Sequence, residues 1–143
     1  MKDLTYIIPC RIESEDRLRN IITSVSYLLK NFPEAKVIVK EVSPKKVFEE
    51  NALTKIKEIA NTSNLNYVYE KVPEQTLFHK TKILNDLILL ADTKVICSHD
   101  VDVVYPISSH QRAYDAIISN ECDVIYPYGC GVWQYQVDYP QEI

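Results

Sequence analysis

Apolar residues along this chain follow two alternating patterns, short β-rich runs and longer stretches at helical spacing. Leu4 to Cys10 (LTYIIPC) is a compact apolar run closed by the polar turn Arg11 to Glu13, and it predicts a first strand. Ser14 then signals a helix start, with Glu15 and Asp16 placed to complement the positive end of a helix dipole. Leu18, Ile21, Ile22, Val25, Leu29 and Phe32 recur at the three-and-four spacing of one buried helical face, which Asn31 and Pro33 bring to an end. Lys36 to Val42 predicts a second strand. Pro44 opens a second helix, whose apolar stripe is Phe48, Leu53, Ile56 and Ile59. Asn61 to Asn64 reads as a loop, and Asn66 to Val72 as a third strand stopped by Pro73, with Tyr67, Val68, Tyr69 and Val72 leaving its buried face ambiguous. After a loop through Phe78, the positions of Ile83, Leu84, Leu87, Ile88 and Ala91 predict a helix over Lys80 to Ala91, followed by a fourth strand, Lys94 to Ser98. A helix from about Ser108 to Asn120 and a fifth strand, Asp123 to Pro127, complete the pattern.

Strands alternating with helices imply βαβ crossovers, hence an α/β, Rossmann-like, mainly parallel sheet with helices on both faces. Open sheets of this kind bind ligands at the carboxyl ends of their strands, where the winding direction reverses. In the strand order 3-2-1-4 that crevice would be flanked by Arg11 and by the pair Asp100 and Asp102.

A length of 143 residues, 46% of them hydrophobic, suits one compact core and therefore a single domain over residues 1–143. The formal charge of -4 and the scatter of Lys and Arg leave no basic stripe, so nucleic acid is not an expected partner. No apolar run approaches the roughly 20 residues of a membrane span, and MKDLTYIIPC lacks a small-residue cleavage site; a soluble, cytoplasmic protein is expected. Cys10, Cys97, Cys122 and Cys130 form no C-x-x-C pair and read as reduced thiols rather than a zinc site or disulfides. The two glycines, Gly129 and Gly131, are too few and too late for a dinucleotide turn or a Walker-type phosphate loop. Any bound phosphate must be held by something other than a glycine cradle.

Asp100-Val101-Asp102, just past the fourth strand, is the candidate for that role. Two carboxylates one residue apart offer hard-oxygen ligands suited to Mg²⁺ or Mn²⁺, and such an ion bridges phosphate oxygens. The bland readings are a solvated acidic loop and a strand-end cap at Asp100. Arg11 pairs equally well with Glu13 or Glu15, Lys80 and Lys82 serve equally well as solvated helix charges, and His79 and His99 read as structural histidines.

Three ordered blocks, IIPCRIESEDRLRNI, FHKTKILNDLILLA and HDVDVVYP, resemble the family-2-type glycosyltransferases of the GT-A fold, and the resemblance runs to about Gly131. It implies transfer of a sugar from a nucleotide diphosphate donor, commonly a UDP-sugar, to a glycan or other acceptor, with Mn²⁺ or Mg²⁺ on the D-x-D motif. By the same resemblance, Asp102 ligates the metal with Asp100 assisting, Pro9, Arg11 and Glu41 contact the nucleoside, and Lys80 and Lys82 represent the basic start of the helix before the motif. Asn85 stands at the family's Asn position, whereas Leu84 stands where many relatives carry Arg.

Complete catalytic domains of this type continue into a half that carries the acceptor site and the base of inverting members, so the chain reads as GT-A-type but truncated. Asp115, Glu121, Asp123 and Asp138 stay open as base candidates. Two other readings stand beside transfer. One is a truncated, non-catalytic nucleotide-sugar-binding domain. The other is a receiver-like domain with an acidic Mg²⁺ site, which would want acidic residues where this chain has Pro9, Cys10 and Arg11. Tyr126, Tyr128, Trp133, Tyr135 and Tyr139 either stack on sugars and bases or bury an exposed layer against a second copy, as in a homo-oligomer.

Overall fold

The computed structural model describes residues 1–128. The chain divides into two compact units, Met1–Val104 and Tyr105–Ile143.

The first unit runs β1 (Leu4–Cys10), α1 (Glu15–Asn31), β2 (Lys36–Ser43), a π-helical turn (Glu49–Leu53) continuing into α2 (Thr54–Ala60), β3 (Leu65–Lys71), α3 (Lys80–Leu90) and β4 (Val95–Ser98). The strands form one four-stranded sheet in the order β3-β2-β1-β4, and every pairing is parallel. This is the expected Rossmann-like α/β arrangement, with β4 beside β1 across the reversal point.

Side chains one residue apart point to opposite faces of a strand, so register decides what each helix covers. Ile7 lies beside Ile38 and, with Val42, packs against Ile83 and Leu87 of α3. The other face carries Tyr6 and Tyr67: Phe32, at the end of α1, stacks on Tyr6 at 6.2 Å between ring centroids, and Phe48 stacks on Tyr67 at 5.4 Å. On that face α1 and α2 pack together. Helices thus cover both faces, and all seven residues of β1 are buried, as expected of a parallel strand with no solvated side.

Pro9 sits in this central strand without breaking it. The β1–β4 ladder ends with the His99 amide donating to the Ile7 carbonyl at 3.1 Å. Backbone groups two residues on face the same edge, so the Pro9 nitrogen points past the end of β4, where its missing N–H removes no ladder bond.

Local chemistry sets the helix ends. The Ser14 hydroxyl caps α1 by accepting from the Arg17 amide at 3.2 Å, with Glu15 and Asp16 in the first turn and Lys30 in the last. The face of α1 then buries Ile21, Val25, Leu28 and Leu29, each contributing roughly 1.5–3 kcal/mol relative to exposure. Asn61 closes α2 in the left-handed region, at φ 49°, a conformation asparagine tolerates better than most residues. The helix expected after Pro44 is present, but its first part, Glu49–Leu53, is π-helical, a departure that apolar spacing does not reveal.

In the second unit, α4 (Ile107–Ile118) follows Pro106, and Asn120 adopts φ 60° just after it. Tyr105 stacks on Tyr128 at 5.8 Å and meets the His110 ring edge-on at 5.8 Å. The fifth strand expected over Asp123 to Pro127 is not formed. Val124 is 78% exposed there, and a β-rich composition without a buried, paired surface does not make a strand. Cys130, Trp133, Tyr135, Asp138 and Tyr139 lie outside the described residues. Among the described residues no helix is long and apolar enough to cross a membrane.

Candidate functional site at the carboxyl end of β4

The D-x-D segment is held by β1 and by α1. Its entry is fixed by the bond from the His99 amide to β1, and the His99 ring is buried edge-on against Tyr6, with centroids 5.9 Å apart. His99 Nδ1 lies 2.7 Å from the Asp100 carbonyl oxygen. From α1, the buried Ser24 hydroxyl donates to the Val101 carbonyl at 2.9 Å. The backbone of the tripeptide is therefore anchored while Asp100 and Asp102, on either side of Val101, are both exposed. Burial, opposed by hydrogen bonding to the Asp100 backbone and by the nearby carboxylates, lowers the His99 pKa and favours a neutral ring. The expectation of a structural histidine at 99 is met.

Lys80, the first residue of α3, reaches this segment: its Nζ lies 2.5 Å from Asp100 Oδ1, with both side chains about half exposed. Lys82 is exposed on the same helix and its charge acts on Asp86, whose carboxyl is held below the ordinary range first by a hydrogen bond from Lys40. Asn85 and His79 are also exposed.

Arg11 and Glu41 differ from their expected roles. The Arg11 side chain is 10% exposed, and its guanidinium donates to the carbonyls of Thr76 at 2.5 Å and Glu74 at 2.9 Å while pairing with Glu13 at 3.4 Å. It straps the segment between β3 and α3 to the end of β1 rather than standing open to a ligand. Glu41 is completely buried. Its Oε1 accepts from the Val47 amide at 2.9 Å and, with Oε2, from the Phe48 amide at 3.2 Å, while Tyr67 donates to Oε2 at 2.7 Å and Ser43 to Oε1 at 3.2 Å. The carboxylate satisfies amide donors at the start of the second helical segment, so Glu41 presents nothing to a nucleoside. Pro9 is buried in β1, with only the chain beyond it emerging at the strand end.

Two contributors escaped the sequence-based expectation. Ser24 stands on the apolar face of α1, three residues after Ile21, and a hydroxyl at such a core position is the signal that it has a buried partner. Lys40 sits in the apolar run of β2 beneath α3, and a lysine there equally demands buried partners.

Among the described residues Cys10, Cys97 and Cys122 are free thiols. Burial pushes the Cys97 thiol up to about 11. No group of three or more His, Cys, Asp or Glu side chains is gathered as a metal cage among the described residues. Asp100 and Asp102 offer two exposed carboxylates, hard-oxygen groups of the kind that Mg²⁺ and Mn²⁺ take.

No protein-family model matches the chain, and no curated protein matches it. Among solved structures it is similar to protein Rv1636 from Mycobacterium tuberculosis H37Rv, at 13% identity and a TM-score of 0.39, over 87% of this chain and 94% of that one. A likeness of this degree assigns neither family nor function.

Proposed function

We propose that this chain binds a nucleotide diphosphate sugar, a UDP-sugar in the leading case, through a divalent cation at Asp100 and Asp102, and that it serves glycosyl transfer. The observation that carries the reading is the pair of exposed carboxylates on an anchored backbone at the carboxyl end of β4, beside the central strand and across from the start of α3. Ligands of open parallel sheets bind at the carboxyl ends of the strands beside the point of reversal, and two hard-oxygen donors at that position would compensate for the missing glycine loop. Mn²⁺ or Mg²⁺, when bound, neutralises charge on the diphosphate and on the departing group.

In this reading Asp102 ligates the cation directly and Asp100 divides its charge between the cation and Lys80. Lys80 brings a cation to the edge of the diphosphate site. Arg11 acts indirectly, by tying the backbone at Glu74 and Thr76 to the end of β1, and Pro9 shapes the end of that strand. Glu41 takes no part in binding.

Titration calorimetry of UDP into the protein with Mn²⁺ tests this. Saturable binding that disappears with a chelator and in Asp102→Ala is the expected result; binding indifferent to both treatments, or none at all, refutes the assignment. Incubation with UDP-sugars then separates transferase from binding module: release of UDP establishes turnover, whereas metal-dependent binding without release assigns a non-catalytic donor-binding domain.

A further inference from the structure

Beneath α3, on the sheet face that carries Ile38 and Val42, β2 places a lysine. Lys40 pairs in register with Pro9 on one side and Val68 on the other, and its side chain is only 9% exposed. Its Nζ lies 2.6 Å from Asp86 Oδ2 of α3 and 2.9 Å from Glu70 Oε2 of β3. Desolvation opposes the ammonium, but its hydrogen bonds to Asp86 and Glu70 outweigh that and raise its pKa. A strand covered on both faces is ordinarily apolar throughout, so a charge here has to be explained.

The apolar contacts of Ile83 and Leu87 hold α3 against the sheet without direction, because burial is nearly indifferent to small slides and rotations. A short charged hydrogen bond is directional. Asp86 lies six residues from Lys80, about 9 Å along a rigid helix. Fixing Asp86 therefore fixes where the first residue of α3 projects, and that residue is the one that pairs with Asp100. We infer that Lys40 is a positioning residue for the candidate donor site: by gripping Asp86 and Glu70 it sets the placement of α3 that brings Lys80 to Asp100. The effect on ligand binding rests on the proposed function; the effect on the Lys80–Asp100 pair does not.

The test compares Lys40→Met, Lys40→Arg and Asp86→Asn, each alone and combined with Lys80→Ala, in UDP titrations with Mn²⁺. Met fills the apolar cover, and the two partly exposed carboxylates rehydrate, so a cooperative fold is expected to survive. Lys40→Met is expected to weaken binding roughly three- to ten-fold, Lys80→Ala to do likewise, and the double variant to bind no worse than Lys80→Ala, with Lys40→Arg recovering most of the loss. Additive losses, or wild-type binding by Lys40→Met, overturn the inference. If Lys40→Met does not fold, Asp86→Asn takes its place, with the same losses expected and the same outcomes overturning the inference. Should the parent protein bind no UDP, the proposed function fails by itself. The positioning role is then read from the Asp100 carboxyl carbon resonance, which is expected to shift in the same direction in Lys40→Met and Lys80→Ala; an Asp100 signal unmoved by Lys40→Met overturns it.

Discussion

Glu41 and Asp100 both stand toward the carboxyl ends of strands in one sheet, yet the fold treats them oppositely. Glu41 is sealed, with two amides, a tyrosine and a serine donating to it. Asp100 is half exposed and engages one lysine, with Asp102 exposed two residues on. A buried carboxylate whose lone pairs are taken up by the protein is part of the scaffold, while an exposed one on an anchored backbone keeps ligand capacity. Sequence position alone does not distinguish them, because both follow apolar runs.

Substitution should make the contrast measurable. The largest stability loss is expected for Glu41→Ala, which strands the buried Phe48 amide, takes the carboxylate partner from the Tyr67 hydroxyl and leaves the Val47 amide only its bond to the Lys45 carbonyl; chemical denaturation should record about 3 kcal/mol. Tyr67→Phe removes one of the four donor groups and should destabilise by about 1 kcal/mol in the same assay. Ser24→Ala frees the Val101 carbonyl, with a similar loss of about 1 kcal/mol, but it should also weaken Mn²⁺-dependent UDP binding, which Tyr67→Phe should not. Asp102→Ala is expected to leave the denaturation midpoint where it is while removing metal-dependent binding. A large stability loss in Asp102→Ala would erase the distinction between the two carboxylate sites.

A pH series sharpens the same comparison. Burial, then the Glu41 hydrogen bond and charge, pushes the Tyr67 hydroxyl well above its ordinary 10.0; burial first and Glu41 second push the Cys10 thiol above its ordinary 9.0. Burial likewise raises Tyr6. The folded chain keeps these groups protonated while the unfolded chain ionises, so the unfolded state binds fewer protons and stability declines as pH rises through 9–10 and beyond. The unfolding midpoint should be lower at about pH 10.5 than at about pH 8. A smaller drop in Tyr67→Phe would assign part of it to the Glu41 pocket.

Much of the fold was legible because burial on two faces writes β1 and β2 as apolar runs and α1 as a spaced stripe. Parallel pairing follows from the crossovers that such runs require, whereas the order β3-β2-β1-β4 is one of several that the same crossovers allow. The segment from Asp123 to Pro127 misled because its Val-Ile-Tyr run matches a strand in composition, whereas a strand also needs a partner and a covered face. At the site, Asp100, Asp102 and Lys80 were legible as exposed charges near a strand end and a helix start. The roles of Arg11 and Glu41 were not, since what decides them is which distant backbone groups lie within reach: carbonyls more than sixty residues away for Arg11, and a helix start six residues on for Glu41. Lys40 carried a signal, a charge within an apolar strand, but its partners lie on two other elements.

The central position of β1 also orders assembly in time. β1 meets β2 after one short crossover, Thr5 facing Lys36, but meets β4 only when Leu4 finds Val95. Closing the longer loop forfeits more chain entropy, and contacts distant in sequence form late. On an emerging polypeptide, β1, β2 and β3 are synthesised before β4, so within this sheet the Asp100–Asp102 loop is the part that becomes available for docking after the other three strands.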